Sequence, residues 1–473
     1  MAGAINCDVC IIGAGSAGLS AAAGLAQLGL ETVLIESGEM GGDCLNTGCV
    51  PSKALLSLAK RRHVAAGVHP AEVEPAPREA INAYVSETIA AIAPHDSQER
   101  FEGMGVTVIR ECARFESPTR VMAGDTAVEA KRFVIATGSS AAIPPIAGLE
   151  PGRVLTNETI FSLEETPEHL VVIGGGPIGL EMAQAHRRLG SRVTVLEMRT
   201  VLPKDDPELV DVVRRCLKAE GIEILENVEV RSVEHLPGGH RVRLSMEGAE
   251  HQVAGSHLLV AAGRKVNVDG LGLEAAGVEY DRKGIRTDRR LRTSRKHIHA
   301  IGDVAGGPQF THVAGYHAGI LVRNIAFRIP AKVDYDALPW VTYTDPELAH
   351  VGLTLEAARE RHGDGVRSFT HAFTGLDRAV AERRREGLLK VVARPDGRIL
   401  GCSIVGPGAG ELIALWGLAI SRKLKLKALT DVIFPYPTIS EVSRQAAGEW
   451  YKPSLFNDRT RRLVSLLQRL PGF

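Results

Sequence analysis

The chain has no excess charge of either sign. Lysine plus arginine total 56 and aspartate plus glutamate total 56, so the formal net charge of the 473 residues is zero. No broad electrostatic attraction to nucleic acid follows, and nucleic acid is not expected as a partner. Long apolar runs are missing too, since none without charge approaches the roughly 18–20 residues of a membrane span. Residues 1–10 show no charged stretch followed by a cleavable apolar segment. A cytoplasmic location is therefore expected. Cysteine is sparse: five of the seven, Cys7, Cys10, Cys112, Cys216 and Cys402, are scattered, with Cys7 and Cys10 inside an apolar strand. They make no second pair with zinc-ligand spacing, so no metal centre is expected. What is present is a 44% apolar composition, ample for buried cores, in a chain long enough for about three domains.

The remaining two cysteines fall in Gly41-Gly42-Asp43-Cys44-Leu45-Asn46-Thr47-Gly48-Cys49-Val50-Pro51-Ser52-Lys53. Proline suits a first helical position, and good helix formers follow it, so a helix is predicted to begin at Pro51. Cys49 then sits just before a helix N-terminus, where free N–H groups and the dipole favour a thiolate and Lys53 adds positive charge. The four residues between the sulfurs let the chain bulge, so Cys44 can close a disulfide and, when reduced, offer an attackable thiol. In a reducing compartment such a disulfide would be catalytic and transient.

Just upstream, an apolar strand over 8–12 ends in Gly13-Ala14-Gly15-Ser16-Ala17-Gly18 and leads into an alanine-rich helix over 19–28. Gly13 permits the tight turn, Gly15 lets a pyrophosphate approach, and Gly18 lets helix and strand pack closely. A second strand, 32–35, ends at Glu36, 23 positions after Gly13, where the fingerprint puts the acid that binds a ribose hydroxyl. The unit recurs: strand 169–173, Gly174-Gly175-Gly176-Pro177-Ile178-Gly179, a helix through Leu189, strand 192–196, and Glu197 at the same interval. Two units imply two dinucleotides. The cysteine pair directly after the first assigns a flavin to it and a nicotinamide to the second.

Elsewhere, 70–77 reads as a proline-rich surface loop and 78–105 as helical. Strands are expected over 106–109 and over 133–138, the latter ending at Thr137-Gly138 facing a cofactor. Residues 258–264, through Gly263, repeat that pattern and support a duplicated architecture. A strand over 298–303 carries Gly302 and brings Asp303 to a hydroxylated chain. From about residue 338 a separate α+β domain is expected, with strands 341–343, 388–392 and 399–405 and a helix 410–420. The basic clusters 383–385 and 423–427 read as solvated faces or turns. Residues 459–470 form an amphipathic helix with Leu463, Leu466, Leu467 and Leu470 on one side. Docking on the chain's own body is its default role, and a membrane surface the alternative.

With Gly302-Asp303 and Tyr436-Pro437-Thr438-Ile439-Ser440-Glu441 added to the two glycine turns and the cysteine motif, the sequence resembles the class I pyridine nucleotide-disulfide oxidoreductases over essentially its whole length. That family includes dihydrolipoamide dehydrogenase, glutathione reductase and mercuric reductase. The resemblance implies an α/β fold of two Rossmann-like domains plus a C-terminal α+β dimerisation domain. FAD would be held by 1–150 and 271–337, NAD(P) by the inserted 151–270, and a homodimer formed through 338–473, completing the partner's active site.

Position by position, the resemblance makes Cys44 the interchange thiol and Cys49 the thiol against the flavin, with Lys53 near the flavin ring and paired with Glu181. Hydride would pass from nicotinamide to flavin, and an electron pair through Cys49 would open the disulfide. FAD contacts are implied at Gly13, Gly15, Ser16, Ala17, Gly18, Gly42, Asp43, Lys53, Thr137, Gly138 and Gly302, with Glu36 on the adenosine ribose and Asp303 on the ribityl chain. Nicotinamide-cofactor contacts are implied at Gly174, Gly176, Ile178, Gly179, Glu181 and Gly263. Glu197 would bind a ribose hydroxyl and repel a 2′-phosphate, giving NADH preference over NADPH.

One position departs from the pattern. Most members have a histidine at Tyr436 that, with the glutamate matching Glu441, manages protons for the interchange thiol. Mercuric reductase also has tyrosine there, but relies on C-terminal cysteines that the stretch Leu470-Pro471-Gly472-Phe473 does not supply. The expected activity is a FAD-dependent, NADH-linked oxidoreductase acting on a small-molecule or protein disulfide. The alternatives are a quinone or metal-ion reductase in which the disulfide is a relay, and a non-enzymatic redox sensor.

Overall fold

The computed structural model describes residues 4–68 and 77–470. The loop expected over 70–77 lies, apart from Pro77, outside the described residues. The chain forms two compact units: residues 1–198 with 223–333, and residues 199–222 with 334–473.

The first unit is built on a mixed seven-stranded sheet whose central strands run parallel, with Arg120–Ala123 and Ala113–Ser117 added antiparallel. Strand Ile5–Ile12 is apolar almost throughout because both of its faces are covered, and Val9, Cys10 and Ile11 are fully buried. Thr32–Ile35 and then Val106–Ile109 flank it on one side and Thr126–Ile135 on the other, all parallel. Ile298–Ala300 continues the order beside the end of Thr126–Ile135. Ile12 pairs with both Ile35 and Ile135, so three strands finish at one level. The turn at Gly13, the carboxylate of Glu36 and the Thr137-Gly138 turn therefore converge at one edge of the sheet. Helix Ser16–Ala26 covers this sheet together with Thr311–Ile325, and both contribute to one apolar core.

A second parallel sheet in the same unit has the order Glu223–Glu226, Arg192–Glu197, His169–Ile173, His257–Val260. Helix Pro177–Arg188 follows its central strand as Ser16–Ala26 follows Ile5–Ile12. The duplication expected from sequence is present in the backbone.

The helix expected over 78–105 is broken. It runs Arg78–Ile92, passes through a 3₁₀ turn at Ala93–His95 and restarts as Gln98–Gly103. Pro94 cannot donate the N–H that would continue the first segment, and Ser97 caps the second by accepting from Arg100 N–H at 3.3 Å.

The second unit is a five-stranded antiparallel sheet in the order Pro339–Thr342, Glu347–Gly352, Ile399–Gly406, Leu388–Ala393, Arg367–Ala372. Helices Ala409–Ser421 and Glu441–Leu455 share its core, where Trp416 is fully buried and donates its indole N–H to Ser443 Oγ at 3.1 Å. Helix Pro207–Ala219 belongs to this unit, tied by Lys390 Nζ at 2.8 Å from Asp206 Oδ2.

Two surface expectations need correction here. Arg384 is not simply solvated, because its half-buried guanidinium bonds Asp345. The terminal helix, Asp458–Leu467, forms where expected but does not dock on the chain's own body, since none of its residues is buried. Among the described residues, no helix is long and apolar enough to cross a membrane and no cluster of metal-binding side chains occurs.

Candidate active site

The two glycine turns share one construction. Gly13 has φ +106° and a Cβ there would lie 2.5 Å from Ala136 O, while a Cβ at Gly18 would lie 1.8 Å from Gly13 O. In the second unit Gly174 has φ +116°, and a Cβ at Gly179 would lie 2.0 Å from Gly174 O. Only glycine serves at the bend and at the helix–turn contact. The middle positions differ: a Cβ at Gly15 meets nothing nearer than 3.9 Å, and one at Gly176 meets nothing within 4 Å. Both helices begin there without a side-chain cap, leaving their first N–H groups to an anion. The residues present fit a dinucleotide pyrophosphate at each turn.

The terminal acids brace these turns. Glu36 accepts from Ala14 N–H, and from Gly38 N–H at 2.6 Å. Glu197 accepts from Gly175 N–H at 2.7 Å. The sequence reading gave these carboxylates to ribose hydroxyls and missed their hold on the loop. Their remaining lone pairs stay available for that second task.

The thiol loop is fastened to the first turn. Gly41 N–H donates to Ala14 O at 3.0 Å, and a Cβ on Gly42 would lie 2.7 Å from Gly15 Cα. A short helix, Gly42–Asn46, carries Cys44. The next helix is Cys49–Val68, so it begins at Cys49 and not at Pro51. Ser52 N–H already donates to Gly48 O at 3.1 Å, which places Pro51 within the first turn, where its missing N–H still costs nothing. Cys49 is thus the first helical residue.

Both cysteines are thiols in this structure, Cys44 half-buried and Cys49 exposed. Cys49 is held down to about 6 because it receives the Cys44 hydrogen bond, with Thr311 and the Lys53 charge assisting against burial and the charge of Asp43. Its Sγ is 3.3 Å from Thr311 Oγ1. Cys44 is pushed far above the usual thiol range by giving that hydrogen bond and by losing solvent. The opposite shifts favour the thiolate on Cys49 and the proton on Cys44.

Lys53 Nζ lies 2.8 Å from Glu181 Oε2, which is buried. Asp43 has both oxygens engaged: Oδ1 accepts from Thr47 at 2.8 Å and Asn157 at 2.9 Å, and Oδ2 faces Arg264 Nη2 at 3.0 Å. Arg264 also donates to Ser139 Oγ at 2.7 Å, and Ser139 donates to Asp303 Oδ2 at 2.6 Å. Burial pushes the Asp303 carboxyl up, against the hydrogen bond from Ser139 and the charge of Arg264. Gly302 N–H donates to His317 Nδ1 at 3.1 Å, and burial holds that imidazole down to about 4, keeping it a neutral acceptor. Thr137 turns its hydroxyl to Asn267 O at 2.7 Å, whereas Gly138 has nothing within 4 Å of its would-be Cβ.

Tyr436 and Glu441 belong to the second unit. Tyr436 is 70% exposed and its hydroxyl donates to Asp377 Oδ2 at 2.7 Å, a bond that raises its pKa above the usual phenol value. Glu441 is buried at the head of helix Glu441–Leu455, 3.4 Å from Arg444. Sequence reasoning missed Arg264, Asn157, Ser139 and Thr311. Only Arg264, directly after Gly263, carried a signal that could have found it.

Two dinucleotide turns in one unit, with a low-pKa thiol fastened to the first, define a flavin- and nicotinamide-dependent dithiol oxidoreductase. The profile of the family described as pyridine nucleotide-disulphide oxidoreductase matches residues 7–318, and that of its dimerisation domain matches residues 338–447. A mercuric reductase of Lysinibacillus sphaericus is 34% identical over 452 residues, covering 93% of this chain and 82% of that one. A dihydrolipoyl dehydrogenase of Geobacillus stearothermophilus is 34% identical over 454 residues, covering 94% and 96%. The solved structure of the HOCl-induced flavoprotein disulfide reductase RclA from Escherichia coli aligns with a TM-score of 0.82 at 29% identity, covering 93% of this chain and 99% of that one. The chain belongs to the class I pyridine nucleotide-disulfide oxidoreductase family: it is an enzyme, FAD-dependent and served by a pyridine nucleotide.

Proposed function

We propose that this enzyme works as a homodimeric, NADH-driven reductase, delivering electrons through Cys49 and Cys44 to a disulfide or a soft metal ion and not drawing them from a dithiol. One observation carries the direction: where dithiol oxidation needs a base, the chain has Tyr436, a phenol already donating to Asp377 and held above its ordinary pKa. A base must be unprotonated near neutral pH, and tyrosine titrates near 10 against about 6.5 for histidine.

FAD, when bound, supplies the junction between two-electron hydride chemistry and thiol chemistry. The chain's own residues do the rest. Gly15 and the head of helix Ser16–Ala26 receive its phosphates, and Glu36 and Asp303 its hydroxyls. Gly176 and Glu197 do the same for NADH. Lys53, braced by Glu181, keeps positive charge beside Cys49, which rests as the thiolate. Cys44 gives its proton to Cys49 along the hydrogen bond between them and attacks the acceptor as the thiolate. The net reaction oxidises one NADH and either takes up one proton to reduce one disulfide to two thiols, or releases one proton in reducing one mercuric ion by two electrons or two cupric ions by one electron each.

The relatives named mercuric reductase, and an RclA structure described as a Cu(II) complex, support the metal-ion half of this reading. The dimerisation-domain match supports the homodimer, as does Ile433, 96% exposed in the single chain. The test is steady-state NADH oxidation with glutathione disulfide, lipoamide, mercuric ion and cupric ion, alongside NAD⁺ reduction by dihydrolipoamide. At least one acceptor should outpace dihydrolipoamide, and Cys44→Ser should abolish that turnover. Faster oxidation of dihydrolipoamide than reduction of any acceptor overturns the proposed direction.

A further inference from the structure

The dimerisation-domain match stops at residue 447, and the chain continues beyond it into a last helix. Asn457 caps that helix by accepting Thr460 N–H at 3.0 Å, and it runs Asp458–Leu467. Among the described residues nothing covers its apolar side. Leu463, Leu466, Leu467 and Leu470, at helical spacing, are 54%, 60%, 50% and 64% exposed, and Val464 beside them is 50% exposed. Arg461, Ser465 and Gln468 fall on the opposite side, with Arg462 and Arg469 along the flanks. Residues 458–470 hold four arginines against one acid, in a chain whose total charge is zero. Arg461 is 3.5 Å from that acid, Asp458. Arg459, Arg462 and Arg469 meet no carboxylate among the described residues.

We infer that this helix lies in the plane of an anionic lipid surface, with its leucine side at the headgroup–acyl boundary and its arginines on lipid phosphates. Charge complementarity selects this occupant. A strongly basic helix with a continuous apolar side satisfies both faces at once at such a surface, the leucines leaving water and the guanidiniums pairing with phosphate. A second copy of the chain could cover the leucines but would leave the arginines to water, whereas an anionic surface engages both sides of the helix. The helix lies on the membrane and does not cross it.

The test is co-sedimentation of the full-length, FAD-loaded protein with vesicles of phosphatidylcholine alone or mixed with phosphatidylglycerol. The apparent partition coefficient should be about tenfold or more higher on the anionic vesicles and should collapse in high salt. Leu466→Glu with Leu467→Glu should remove binding to both kinds of vesicle. Arg459→Gln, Arg462→Gln and Arg469→Gln together should remove only the preference for anionic lipid. Turnover in solution should stay unchanged in both variants. The inference fails if anionic vesicles do not bind the protein, if a chain ending at Asn457 binds them equally well, or if the double glutamate variant turns a dimer into a monomer, which would give the leucines to a second copy.

Discussion

Arg264 holds Asp43 at 3.0 Å across 221 positions of sequence, and through Ser139 it also reaches Asp303. One guanidinium thereby joins the residue before Cys44 to the acid expected on the ribityl chain. It offsets a negative charge that would otherwise oppose the Cys49 thiolate. Arg264→Met should raise the Cys49 pKa from about 6 by roughly one unit, with Arg264→Lys in between. The measurement is a pH titration of the reduced protein's long-wavelength absorbance. An unmoved midpoint would show that Arg264 does not tune the thiol.

The two thiols should separate spectroscopically. A Cys49 thiolate against oxidised flavin should give a long-wavelength charge-transfer band in the two-electron reduced protein. Cys49→Ser should abolish the band and Cys44→Ser should keep it, and the opposite pattern reverses the assignment. The sign with pH follows from the lowered pKa: the thiolate, and the band, are present above about 6 and lost below it. By linkage, Cys49 stabilises the reduced fold fully above the unfolded thiol value near 8.5, and this contribution disappears as pH falls through about 6.

Glu197 should select the nucleotide. Its carboxylate is fixed by Gly175 N–H at 2.7 Å, so it is poorly placed to swing away from a 2′-phosphate. Flavin reduction by NADH should be at least about tenfold faster than by NADPH at equal low concentration, roughly 1.4 kcal/mol. Stopped-flow traces with equal rates would remove the carboxylate from that role.

Tyr436→His should raise dihydrolipoamide oxidation about tenfold or more by supplying a base that is partly unprotonated at neutral pH. Asp377 would remain nearby to accept from the imidazole. A native enzyme that already oxidises dihydrolipoamide quickly, with no gain from histidine, would show that another group manages the proton.

The parts of the site legible in sequence were those set by local backbone demands. Gly13, Gly18, Gly174 and Gly179 announce themselves because no other residue fits the bend or the helix contact. Glu36 and Glu197 follow from a fixed strand–helix–strand length. The Lys53–Glu181 pair came from the family motif and stands at 2.8 Å. Local signals also misled by small amounts: Pro51 marks a first turn and not its first residue, and Pro94 breaks a pattern whose apolar spacing alone reads as one helix. Contacts across space left no trace in the pattern. Thr311 meets Cys49 from 262 positions away and Asn157 meets Asp43 from 114, and no periodicity encodes either. In the terminal helix, spacing gave the apolar side but could not say that the chain's own body leaves it uncovered.

Gly15 and Gly42 pass so close that a single added methyl group on Gly42 would strike the Gly15 backbone. The pocket that receives the cofactor and the loop that presents the thiols are consequently one mechanical part. Any shift of the first glycine turn is therefore handed, backbone against backbone, to the residue two places before Cys44. Dinucleotide turn and thiol loop keep one fixed spacing because Gly42 cannot gain a side chain at this crossing without pushing the turn away.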